Sequence, residues 1–78
     1  MLISGDLKLF HDGSHSYLQN TTGTLYIQSK SGENALTAIP DGGTLLAYDN
    51  STKLTTTSSG VTVTGSVTDD KGNLRSIL

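Results

Sequence analysis

The sequence predicts an all-β chain built from short repeated strands, and three observations predict it. A glycine opens a β-prone stretch of alternating apolar and hydroxyl residues four times, at Gly5, Gly23, Gly43 and Gly60, with spacings of 18, 20 and 17 residues. Short repeats of this kind mark stacked strands that bury each unit only against its neighbours. No window sustains the i, i+3, i+4, i+7 apolar spacing of an amphipathic helix, so little or no helix is expected. Ser, Thr, Gly, Asn and Asp together supply 41 of the 78 residues, a bias of turns and narrow β-structure.

The copies read Gly5-Asp6-Leu7-Lys8-Leu9, Gly23-Thr24-Leu25-Tyr26-Ile27, Gly43-Thr44-Leu45-Leu46-Ala47 and Gly60-Val61-Thr62-Val63-Thr64. Period-two alternation places Leu7 with Leu9, Leu25 with Ile27, Leu45 with Ala47, and Val61 with Val63 on one face of each strand. These eight residues are expected to share one interior. The intervening Lys8, Tyr26, Leu46 and Thr62 then point outward.

Turn residues separate the copies: Asp12-Gly13, Ser31-Gly32, Asp41-Gly42-Gly43, Asp49-Asn50-Ser51, Ser59-Gly60 and Lys71-Gly72-Asn73. Glycine, Asn and Asp accept the positive φ that tight turns require. The single proline, Pro40, falls at such a turn and outside the predicted strands. Composition is continuous to about Val67. The following Asp69-Asp70-Lys71-Gly72-Asn73 reads as a junction.

Leu, Ile, Val and Phe number 19 of 78, a thin supply for a core. A chain this short ordinarily needs disulfides, metals or self-association. There is no cysteine and no cluster with zinc spacing, which leaves self-association. A net charge of −2, with basic residues scattered at Lys8, Lys30, Lys53, Lys71 and Arg75, forms no track for a phosphate backbone, so no nucleic-acid partner is expected. No apolar run approaches the ~20 residues that span a bilayer, so no membrane insertion is expected. Met1-Leu2-Ile3-Ser4 lacks the basic start and apolar stretch of a secretory signal.

The run from Gly5 through His11-Asp12-Gly13-Ser14-His15-Ser16 to Tyr17, and the run from Tyr48 through Thr55-Thr56-Thr57-Ser58-Ser59 to Gly65, resemble repeats of tailed-bacteriophage tail-fibre and related virion fibre proteins. The segment Asp69–Ile77 is similar to one that ends a fibrous stretch in such proteins. The resemblance implies an elongated homotrimer, an intertwined β-helix whose three chains wind about one axis. It implies a structural role on a virion appendage that supports or presents host attachment, extracellular when assembled. Residues 1–68 would form the shaft and 69–78 the junction or terminal segment, with Leu7, Leu9, Leu25, Ile27, Leu45, Ala47, Val61 and Val63 in the trimer core. The implied partners are two further copies, other virion fibre or tail proteins, and host surface glycan.

Two alternatives belong to other classes. One is a single-chain β-solenoid that binds carbohydrate through Phe10, Tyr17, Tyr26 and Tyr48; aromatics in strands more often pack with β-branched neighbours. The other is a fragment of a fibre-borne depolymerase, which needs paired carboxylates, whereas Glu33 is the only glutamate.

The remaining candidates have simpler readings. His11 and His15 are four apart, metal-ligand spacing on a helix, but Asp12-Gly13-Ser14 between them makes a turn. Ser14, His15 and Asp12 share that turn and cannot readily reach triad geometry. Asp41-Gly42-Gly43 has no following helix N-terminus to cradle a phosphate, and Asp49-Asn50-Ser51 and Asp69-Asp70 lack the spaced ligand set of a calcium loop. No catalytic, cofactor or metal site is expected.

Overall fold

A computed structural model describes residues 5–72. They form seven strands: β1 (Leu7–His11), β2 (Ser16–Asn20), β3 (Leu25–Lys30), β4 (Glu33–Ala38), β5 (Thr44–Tyr48), β6 (Ser51–Thr57) and β7 (Gly60–Val63). The described residues contain no helix. Strands β1 and β2 make a two-stranded antiparallel hairpin, and β3 to β7 make a five-stranded antiparallel meander in sequence order. The four glycine-led copies correspond to β1, β3, β5 and β7. Return strands β2, β4 and β6 lie between them, in segments the repeat leaves unmarked.

The turns explain why sequential strands pair. Asp49 and Asn50 both adopt positive φ, 48° and 66°, between the paired ends Tyr48 and Ser51. That two-residue turn twists in the sense that the flanking strands require. Ser31-Gly32 joins β3 to β4 with Gly32 at φ 80°, and Ser58-Ser59 joins β6 to β7. The β4–β5 loop, Ile39 to Gly43, closes with Ile39 N donating to Gly43 O at 3.1 Å and Gly42 N donating to Ile39 O at 3.0 Å. Pro40 lies in this loop, outside the strands as expected. At the other end, Gly72 N donates to Asp69 O in a turn; the rest of the expected junction, residues 73–78, lies outside the described residues, as do Met1–Ser4.

Register determines the two faces of the meander. Ile27 pairs with Leu36, Leu36 with Leu46, Leu46 with Leu54, and Leu54 with Val63. Directly opposite residues share a face, so one apolar side chain from each of five strands stands in a single row. The adjacent row, Tyr26, Thr37, Leu45, Thr55 and Thr62, faces the other way and is largely hydroxyl. Leu25 pairs with Ala38 on the first face.

This register corrects the expectation of one shared interior at β5. Leu45 and Ala47 lie on the face opposite Leu25, Ile27, Val61 and Val63, and Leu46 takes the position expected of them. Leu7 and Leu9 belong to the separate hairpin sheet. The cause is the five-residue loop, which brings Ala38 opposite Thr44 and so sets the parity of all of β5.

No side chain of the described residues is buried. Among the described residues the meander is one layer, and its main strand contacts are those between hydrogen-bonded neighbours. The chain is extended, 44 × 31 × 25 Å, with a radius of gyration of 15.8 Å. A compact domain of this length would have about 11.5 Å.

Candidate functional site

The row Ile27, Leu36, Leu46, Leu54 and Val63 is the most distinctive surface of the chain. Ile27 and Leu46 remain 43% and 45% exposed, and Leu36, Leu54 and Val63 are half-buried by their sheet neighbours alone. The charged side chains of the meander lie away from it. Lys30 and Glu33 flank the β3–β4 turn, where the exposed Lys30 and the half-buried Glu33 form an ion pair at 3.7 Å, and Lys53 is on the far side of β6 beside the bulge. An uncharged apolar row on a single-layer sheet is a surface that can exclude water only against another layer.

Leu36 and Leu54 were not singled out by the glycine-led pattern, because each is a lone large apolar residue in a polar strand. A signal for them exists in the turns. Ile27 and Leu36 each lie four residues from the Ser31-Gly32 turn, and Leu54 and Val63 each lie four from Ser58-Ser59.

The β1–β2 turn gathers the other candidate groups. Asp12 Oδ1 accepts from the amides of His15 (2.8 Å) and Ser14 (2.9 Å), and Asp12 Oδ2 accepts from the Tyr17 hydroxyl (2.9 Å). The carboxylate therefore closes the turn. The His15 amide first, then the Ser14 amide and the Tyr17 phenol, hold the Asp12 carboxyl below its ordinary 3.8. The same bond from Tyr17 holds that phenol above its ordinary 10.0. His11 Nδ1 lies 3.0 Å from Ser16 Oγ, on the opposite strand. The Asp12, Ser14 and His15 contacts are those of a capped turn, with no relay from acid to base to nucleophile. Among the described residues, no group of three His, Cys, Asp or Glu converges as a metal site.

Phe10 and Tyr17 pair across this hairpin and stack, with ring centroids 4.9 Å apart and planes 17° from parallel. Both rings stay partly open, at 38% and 39% exposure. Leu9 and Leu18 pair on the other face and are more open still, Leu9 at 74%. Tyr26 and Tyr48 lie on the separate meander sheet.

Asp41-Gly42-Gly43 turns over the β6–β7 corner, and together with Thr56, Thr57 and Ser58 it lines an open cavity of about 330 Å³. Its backbone is committed within the loop, where Gly42 N donates to Ile39 O and Gly43 O accepts from Ile39 N, and the adjoining Thr44 N donates to Thr56 Oγ1 at 2.9 Å. Asn50 binds β4 and the β3–β4 turn in the same way, accepting from Asn34 N at 3.0 Å and donating to Gly32 O at 3.4 Å.

Comparison of the chain with known protein families, with characterised proteins and with solved structures gives no match in any of the three.

Proposed function

We propose that this chain is a structural segment of a trimeric virion fibre, a tail fibre or similar appendage that supports or presents host-attachment functions. The observation that carries the reading is a repetitive sheet with no buried side chain and an unpartnered apolar row on one face. An isolated single-layer sheet leaves its apolar side in water and its outer strands open to pairing. Three copies around one axis cover that side, and the intertwined β-helical winding implied by the sequence resemblance would close the edges as well. In this role the chain is architectural, and its partners are two further copies and neighbouring fibre or tail proteins.

Light scattering coupled to gel filtration tests the reading. A mass of three times the 8.2 kDa chain supports it. A folded species of one chain mass at micromolar concentration overturns it.

The stacked, half-open Phe10 and Tyr17 favour a second reading, a glycan-adhesion module. Flat aromatic surface is suited to sugar rings. Binding to a panel of bacterial surface polysaccharides that disappears in Tyr17→Ala, with the chain still folded, would support this reading over a purely architectural one.

A further inference from the structure

We propose that the meander face carrying Ile27, Leu36, Leu46, Leu54 and Val63 is the surface on which copies of this chain pack against one another, with Leu46 inside the contact and Leu45 outside it. This rests on the self-assembly reading above and adds which face does the packing, a matter that alternation within β5 cannot decide.

The first argument is one of area. The chain exposes 6366 Å². A compact monomer of this mass exposes about 4,500 Å², an excess of roughly 1,800 Å². A stable interface removes about 800 Å² from each partner, so the uncovered surface is sufficient for one.

The second argument is chemical and names the occupant. The row runs across all five strands, about 19 Å at the usual strand separation. It carries no charge, so a charged partner gains nothing there. A second copy brings the same uncharged row, and a chain with net charge −2 has little overall repulsion to overcome. The opposite row, with three threonines among its five residues, is the one that water can solvate.

The absence of cysteine from the chain makes a clean test. Single variants Leu46→Cys and Leu45→Cys are prepared, their mass is checked against the unmodified chain, and each is treated with a maleimide and, separately, with diamide as oxidant. In the single chain Leu46 is the more exposed of the two, at 45%, and Leu45 is half-buried. In the assembled protein the order should reverse, Leu46→Cys labelling at least about tenfold more slowly than Leu45→Cys, because thiol reactivity follows exposure of the thiolate. Diamide should convert Leu46→Cys, and not Leu45→Cys, to an inter-chain disulfide, with two thiols oxidised as diamide is reduced to the hydrazine. Equal or reversed protection in a confirmed oligomer overturns the assignment of the face and leaves the assembly reading intact. An unmodified chain that runs as a folded monomer overturns both. If Leu46→Cys alone fails to assemble while Leu45→Cys assembles and labels freely, the contact still requires leucine at position 46, and the proposal stands.

Discussion

Gly43 lies directly over Thr56: a Cβ built on Gly43 would stand 2.5 Å from the Thr56 carbonyl oxygen, inside any real contact distance. The β4–β5 loop is thereby pressed onto β6, and Thr44 N reaches Thr56 Oγ1 only because the glycine carries no side chain. Gly43→Ala should destabilise the sheet by about 1–3 kcal/mol, since backbone must move to admit the methyl group. Gly5→Ala, where nothing lies within 4 Å, is the control and should melt with the parent in denaturant. Equal stability of the two variants would mean that the close approach is not maintained.

Asp12 predicts an acid-sensitive hairpin. Its folded value lies below the ordinary 3.8, so its contribution is present above 3.8 and is lost as pH falls through the lowered folded value. Proton NMR of the Ser14 and His15 amides should show both moving upfield below pH 3.8. In Asp12→Asn that step should vanish and the Tyr17 phenol should titrate closer to 10.0 by ultraviolet absorbance. A Tyr17 titration unchanged by the substitution would refute the bond between them.

Asn50 separates turn preference from side-chain bonding. Glycine adopts its φ of 66° without strain, so turn geometry alone predicts that Asn50→Gly is harmless. The loss of its bonds to Asn34 N and Gly32 O predicts instead a destabilisation of about 1 kcal/mol. Asp49→Gly, which relieves φ 48° and has no such bonds to lose, should be neutral or stabilising. Thermal unfolding of the two variants decides between these accounts.

Val63 and Thr62 are neighbours on opposite faces: Val63 pairs with Leu54, and Thr62 with Thr55. Val63→Asp would bring one unpaired charge per copy into the proposed contact, at several kcal/mol each unless neutralised. The oligomer should dissociate. Thr62→Asp should leave it assembled, with a loss limited to strand preference. Sedimentation velocity on the two variants reads the difference, and the opposite order would place the hydroxyl face inside.

From the sequence alone, the absence of helix from the described residues, the four glycine-led strands and nearly every turn were legible, because glycine, Asn and Asp mark turns through local sterics that need no tertiary partner. The return strands were less visible. Ser16–Asn20, Glu33–Ala38 and Ser51–Thr57 are rich in polar residues and become strands by hydrogen bonding to a neighbour. Least visible was the face of β5, where Leu45, Leu46 and Ala47 are all apolar and period two selects neither parity.

That choice depends on where the Asp41-Gly42-Gly43 turn is centred. Centred on Asp41, at φ 57°, it pairs Leu36 with Leu46; centred half a residue later, it would pair Leu36 with Ala47 and invert every side chain of β5. The bond from Gly42 to Ile39 and the close approach of Gly43 to Thr56 select the first. The first is a bond within the turn itself, but the second sets Gly43 against the backbone of β6, which only the folded sheet brings there, so the tertiary structure decided the composition of the apolar row.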